Sequence, residues 1–267
     1  MARKQSPEET WRAVLSGDAA GLKRIQRIFR LIPSDPRCKL CYAPFGKPGS
    51  LLVRLLGGKP AVFNRRLCSL CIKSAHKHPG GAEVEISALF ADVRGSMGLA
   101  ERSQPGEYGQ LLARFYGTAA RVVDRWDGIV DKFVGDEAVA LFIPGFAGQD
   151  HAAHAVAAAH DLLEATGHGE AAPWLPVGVG VHTGVSYVGF VGEDDALDFT
   201  AVGDTVNPAA RLCKAAGTGE VLVSEAAAAA AEVDTSGLEH RILELRGREH
   251  AVGVWVQPLG AAATTAA

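Results

Sequence analysis

Four of the five cysteines stand as two pairs, Cys38-x-x-Cys41 and Cys68-x-x-Cys71, with 26 residues between the pairs. Each pair can turn two thiolates onto one ion through a tight loop, and two pairs complete a tetrahedral shell of the kind zinc takes. The chain between them must therefore close on itself. Cys38, Cys41, Cys68 and Cys71 are the expected ligands of a structural zinc. A reducing compartment favours metal over disulfides for such a set, and an iron–sulfur cluster or redox dithiol is the alternative. His76 and His78 lie close enough in sequence to replace a thiolate. Cys213 stands alone in a helical pattern and reads as a small buried apolar residue.

The cysteine segment also carries most of the positive charge. Residues 1–80 hold 16 Lys/Arg and 4 Asp/Glu, a balance of +12, whereas residues 81–267 hold 11 and 26, a balance of −15. A swing of that size at Pro79-Gly80-Gly81 predicts two units with different surfaces. A basic surface fits nucleic acid, an anionic membrane, or the acidic remainder of the same chain. No basic stretch is interleaved with base-stacking aromatics, so nucleic acid is not the expected partner. No apolar run approaches the roughly 20 residues of a membrane span, and Met1-Ala2-Arg3-Lys4 is not followed by the apolar core of a secretion signal. A cytoplasmic protein is expected.

Apolar spacing predicts helix over 8–31, interrupted at Gly17-Asp18, with Asp18 capping the second half. From residue 83 the pattern changes. A strand ends at Asp92-Val93-Arg94-Gly95, and a helix follows with Leu111, Phe115, Ala119 and Val122 on one face. Ile129–Phe133 and Ala138–Ile143 form a hairpin around Gly135-Asp136. A helix covers about 150–166, and strands or helices are expected at 177–191, 198–202, 204–216, 221–224, 238–245 and 251–257. That order predicts an α+β chain: an α/β sandwich on a mixed sheet, preceded by a small helical domain that holds a metal on its four cysteines. The expected boundaries are 1–80, 81–260 and a disordered tail at 261–267.

Two carboxylates sit where a sheet end holds them rigidly. Asp92 closes a buried strand and Asp136 occupies a hairpin tip, so the two could share a pair of divalent cations that grip phosphates and activate a hydroxyl. Other signals point elsewhere. His151, His154 and His160 share one helix without a ligand set and are expected on its solvated face. Gly178-Val-Gly180 lacks the third glycine of a dinucleotide fingerprint, and no P-loop or nucleophile elbow occurs.

Four segments in order resemble the class III nucleotidyl cyclases, the adenylate and guanylate cyclase catalytic domain. They are Ala88–Gly95 (ALFADVRG), Asp131–Phe142 (DKFVGDEAVALF), Val179–Gly184 (VGVHTG) and Thr200–Leu212 (TAVGDTVNPAARL), within a likeness covering about residues 84–258. The resemblance implies a ferredoxin-like α/β sandwich. It also implies roles. Asp92, Asp136 and the carbonyl of Val93 would hold two Mg²⁺ or Mn²⁺ ions. Lys132 and Thr200 would select the purine, Asn207 would orient the ribose, and Arg211 would stabilise charge on the α-phosphate. The family divides these sets between subunits, so a homodimer with shared sites is implied. Lys132 is a donor only and matches the N1 acceptor of adenine, whereas guanine N1 carries a hydrogen. Thr200 can accept from the adenine amino group, less selectively than the Asp common at that position. The expected protein is an adenylate cyclase, a phosphorus–oxygen lyase making cyclic AMP and pyrophosphate from ATP. A guanylate cyclase and a silent cyclase-like module are the alternatives.

Overall fold

A computed structural model describes residues 6–34, 36–55, 58–60, 67–77, 80–169, 172–192, 198–244, 251–257 and 259. The chain divides into two units. The first takes Met1–Val84, Pro144–Gly148 and Tyr187–Ala201, and the second takes Glu85–Ile143, Gln149–Ser186 and Val202–Ala267. His78 and the tail at 261–267 lie outside the described residues, as does the side chain of His76.

In the first unit, α1 (Pro7–Leu15) starts where its sequence says it should. The Ser6 hydroxyl accepts from the Glu9 N–H at 3.1 Å, the Glu9 carboxylate accepts from the Ser6 N–H at 2.8 Å, and Pro7 fills the first turn. The break at Gly17-Asp18 is present and α2 runs from Ala20 to Arg30, but Asp18 is not its cap. Ala19 takes the cap position without a side-chain bond, and Asp18 instead pairs with Lys23 at 3.3 Å. α2 turns Leu22, Gln26 and Phe29 inward and leaves Arg24, Arg27 and Arg30 in solvent. Two short helices follow, α3 (Ser50–Leu55) and α4 (Ser69–Lys77), the second starting just after Cys68 and containing Cys71.

Most strand residues belong to the second unit, while residues 81–84, 187–191 and 198–201 belong to the first. The strands are β1 (Gly81–Val93), β2 (Ile129–Val134), β3 (Glu137–Phe142), β4 (Val177–Val191), β5 (Asp198–Val202), β6 (Val221–Ser224), β7 (Glu239–Leu243) and β8 (Val252–Gln257). Their order is β2-β3-β1-β4-β6-β8-β7, with β5 pairing with β4. The β1–β3, β2–β3, β6–β8 and β7–β8 ladders are antiparallel and β4–β6 is parallel, so the sheet is mixed. The order β2-β3-β1-β4, with helices after β1 and again after β3, is the expected ferredoxin-like arrangement.

After β1 come α5 (Ser96–Arg102) and α6 (Pro105–Arg125). α6 buries Phe115, Thr118, Ala119, Val122 and Val123, a stripe at helical spacing. After β3 come α7 (Pro144–Ala147), which belongs to the first unit, and α8 (His151–Ala165). Half of the residues α8 buries are alanines, which allow close packing, and its histidines depart from expectation. His151 is buried with Nδ1 3.0 Å from the Ser87 hydroxyl, His160 lies 2.6 Å from Gln257, and the His154 ring meets Trp126 at 5.7 Å. The helix is apolar nearly all round, so its histidines take inward positions and find hydroxyl, amide and ring partners there. No helix among the described residues is long and apolar enough to cross a membrane.

Candidate functional site

The end of β1 and the β2–β3 hairpin tip meet through the backbone. Asp92 stands opposite Glu137 in the β1–β3 ladder, and the Val93 N–H donates to the Asp136 carbonyl at 3.3 Å. Gly135 makes the tip possible, with φ of 60° in the left-handed region. A brace holds it from α6: the Tyr116 hydroxyl donates to the Gly135 carbonyl, and the Tyr116 ring stacks on Phe133 at 4.2 Å and 21°. Two sequence-predicted residues, Asp92 and Asp136, thus stand beside a third carboxylate, Glu137.

The electrostatics record this crowding. The Asp92 carboxyl is pushed above the ordinary carboxylate range by burial and by Asp136, with Arg94 and Lys214 opposing. Burial and Asp92 raise Glu137 in the same way. Tyr108 is raised by burial and then by Asp136, which places its phenol near the cluster. Oxygen donors that repel one another at a rigid sheet end fit a hard divalent cation such as Mg²⁺ or Mn²⁺, which relieves the repulsion directly.

Arg94 is a residue whose part sequence reasoning missed. Its guanidinium lies 3.2 Å from Asp92 and donates to the backbone carbonyl of Cys213, while its own N–H donates to the Pro176 carbonyl at 2.8 Å. It ties the carboxylate-bearing end of β1 to α9 (Val206–Ala215). Cys213 is buried as expected. Its thiol donates to the Gly178 carbonyl at 3.4 Å, and burial pushes it well above its ordinary range.

α9 carries two further predicted residues. Asn207 is exposed in its first turn, and Arg211 stands one turn later on the same side. The Thr205 hydroxyl fixes the approach by donating to the Val185 carbonyl at 2.9 Å. A Cβ at Gly180 would lie 2.3 Å from the Cys213 nitrogen, so only glycine lets α9 rest on β4. That is the work of a glycine pattern that carries no dinucleotide fingerprint. The Arg211 Nη1 is buried and has no hydrogen-bond partner among the described residues. Lys132 sits on β2 just past a register shift between Val130 and Lys132. Its ammonium is half-exposed, 3.2 Å from the Asp131 carboxylate. Thr200 is buried in β5 and belongs to the first unit. Among the described residues no hydrogen bond or ion pair joins Lys132, Asn207 or Arg211 to Asp92 or Asp136. The middle motif turns out to be structural: His182 Nδ1 lies 2.8 Å from the Ser224 hydroxyl, and the Thr183 hydroxyl lies 2.6 Å from that of Ser87.

In the first unit, the Sγ atoms of Cys38, Cys41, Cys68 and Cys71 all lie within 4.8 Å of one another. Cys41–Cys68 is 3.6 Å and Cys38–Cys71 is 3.9 Å. A tetrahedral shell with Zn–S bonds of about 2.3 Å places neighbouring sulfurs about 3.8 Å apart. Backbone N–H groups point at two of the sulfurs, from Cys68 to Cys38 at 3.2 Å and from Cys71 to Cys68 at 3.4 Å. The four thiols hydrogen-bond to one another, which lowers Cys38 and Cys68 and raises Cys41 and Cys71 relative to the ordinary thiol range. The four cysteines can thus hold a metal ion. Purified protein should carry about one zinc per chain, and Cys68→Ser should lose most of it and melt at a lower temperature. Metal analysis with a thermal melt checks this, and undiminished zinc in the variant would exclude Cys68 as a ligand.

The family model for the adenylate and guanylate cyclase catalytic domain matches residues 81–258. Among curated proteins, the chain is 35% identical to adenylate cyclase 1 of Rhizobium meliloti over 134 residues, 48% of this chain and 20% of that protein. It is 32% identical to an adenylate cyclase of Anabaena cylindrica over 135 residues, 48% of this chain and 26% of that one. The chain therefore spans only about a fifth to a quarter of the length of these relatives. Among solved structures, the guanylyl cyclase Cya2 superposes with a TM-score of 0.60 at 29% identity, covering 68% of this chain and 95% of that one. With its ferredoxin-like sheet and its carboxylates at the β1 end, the chain belongs to the adenylate and guanylate cyclase catalytic domain family, the class III nucleotidyl cyclases.

Proposed function

We propose that residues 81–260 are the catalytic unit of an adenylate cyclase that converts ATP to 3′,5′-cyclic AMP and pyrophosphate, and that residues 1–80 are an accessory zinc unit. The observation that carries the reading is the junction of β1 with the hairpin tip, where the Val93–Asp136 hydrogen bond sets Asp92 and Asp136 side by side. Asp92, Asp136 and the Val93 carbonyl would hold two divalent cations. When bound, these would acidify the ribose 3′-hydroxyl and neutralise phosphate charge.

The chain's own residues supply position and polarity. Lys132 donates to adenine N1 and Thr200 accepts from the exocyclic amine. Asn207 holds the ribose so that its 3′-oxygen lies in line with the α-phosphorus. Arg211 brings its Nη1, unpaired among the described residues, to the charge that builds on the α-phosphate. The 3′-oxygen–phosphorus bond forms, the bond to the β-phosphate bridging oxygen breaks, pyrophosphate leaves, and the hydroxyl proton passes to water or a substrate phosphate. In a head-to-tail homodimer, Asp92 and Asp136 of one protomer would face Lys132, Thr200, Asn207 and Arg211 of its partner.

Incubation with ATP or GTP and Mg²⁺ or Mn²⁺, with products identified by mass, tests the reading. Cyclic AMP should dominate. Lys132→Glu should lower kcat/KM for ATP by about a hundredfold, because an acceptor then faces the N1 acceptor. The guanylate alternative has one feature in its favour, since the Thr200 hydroxyl donates as readily as it accepts. Predominant cyclic GMP from the unaltered protein would establish that alternative.

A further inference from the structure

The first unit contains a cavity of about 860 Å³ that the cyclase reaction does not use. Five aromatic side chains line it: Trp11, Phe29, Phe146, Phe190 and Phe199. Four of them form a connected wall, with Trp11–Phe190 at 5.9 Å, Phe190–Phe199 at 5.3 Å and Phe146–Phe199 at 6.1 Å. The remaining lining is largely aliphatic, together with Cys41, Cys68 and Cys71 of the four-cysteine metal-ligand set. Among the described residues no Lys, Arg, Asp or Glu takes part, and the Thr10 hydroxyl is already committed to the Ser6 carbonyl at 3.1 Å. Water in such a space finds few partners, and a nucleotide or sugar finds too few for its polar groups. The volume falls in the roughly 300–1,000 Å³ range of small-molecule sites, and an apolar guest gains by displacing poorly bonded water.

The charge around this cavity narrows the guest further. α2 turns Leu22, Ile25 and Phe29 to the cavity while Arg24, Arg27 and Arg30 stand in solvent; residues 1–80 carry a net +12, against which the first unit also sets Glu83, Glu193, Asp194, Asp195 and Asp198. We propose that this cavity binds a free long-chain fatty acid, its aliphatic chain among the aromatic rings and its carboxylate outside in the basic surroundings. Apart from the sulfurs of Cys41, Cys68 and Cys71 the described lining holds no charged side chain, and Arg24, Arg27 and Arg30 of α2 stand outside it, which a single-chain carboxylate matches.

Trp11 provides a reporter inside the site. Titration of the full chain, with its metal content measured, with 12-bromododecanoate below its micelle concentration should quench tryptophan fluorescence saturably, at one ligand per chain by calorimetry. Trp11→Phe should remove most of that quenching while calorimetry still finds binding within about threefold of the unaltered chain. Ile25→Glu, at a position 45% exposed and therefore tolerant of charge, should weaken binding about tenfold or more by setting a carboxylate against the fatty-acid head. Val53→Trp, which fills the space from a buried lining position, should do the same, with circular dichroism and melting confirming the fold. Absence of saturable binding overturns the proposal. So does quenching undiminished in Trp11→Phe, or unaltered affinity in Ile25→Glu. None of these readings depends on cyclase turnover.

Discussion

Replacing Asp92 or Asp136 with asparagine should lower cyclic nucleotide formation by about a thousandfold or more and leave the fold intact. The two effects separate because the native carboxylates oppose each other. Burial and Asp136 push Asp92 above its ordinary pKa, so the folded chain binds its proton more tightly than the unfolded chain does. Stability therefore falls as pH rises through that interval, and at neutral pH the ionised Asp92 is a net strain on the cation-free fold. An amide removes that strain at constant shape. Arg94 loses its 3.2 Å partner but keeps the Cys213 carbonyl. The Asp92→Asn variant should melt no lower than the unaltered chain in the absence of divalent cations, and both asparagine variants should lose most of the stabilisation that Mg²⁺ or Mn²⁺ gives it. Product assays and melts with and without cation read both quantities. Near-normal turnover in either variant would falsify the assignment of that carboxylate to the metals, whereas a collapse of the fold would mark it as structural.

What could be read from the sequence is what one stretch of chain settles by itself. Gly135-Asp136 between two apolar alternating runs dictates a hairpin, and the Phe115, Ala119 and Val122 spacing dictates the buried face of α6. The Cys-x-x-Cys pairs name their own geometry, and the sulfurs do converge. Features that depend on the partner across the fold were not legible. The α8 histidines read as solvated because polarity was judged along one helix, yet Ser87 and Gln257 come from 64 and 97 residues away. Asp18 failed as a cap because the helix starts one residue later than the break suggests. Arg94 reads as one more basic residue until α9 brings the Cys213 carbonyl to it, and Tyr116 reads as helix surface until the hairpin tip arrives. Glu137 lies next to Asp136 in sequence, but only the ladder sets it opposite Asp92.

Mixing an Asp92→Ala chain with an Arg211→Ala chain should restore about a quarter of the activity of the unaltered protein, although each alone is inactive. Random pairing of equal amounts makes about half the dimers mixed. Each mixed dimer has one site built from the unaltered aspartates of one chain and the unaltered α9 of the other, while its second site carries both lesions. The intact half of half the dimers is the expected quarter. The single-chain geometry is what makes the test sharp. Arg211 has a buried Nη1 with no partner among the described residues, and nothing among them bonds it to the Asp92–Asp136 cluster of its own chain. If both groups served one nucleotide within one protomer, each chain would be dead independently and mixing would recover nothing. Mixed dimers isolated on two affinity tags, and inactive despite measured metal and nucleotide binding, would therefore refute the shared site. Recovery near a quarter, abolished by adding Asn207→Ala to the Asp92→Ala chain but not to the Arg211→Ala chain, would assign Asn207 to the same half of the divided pocket as Arg211.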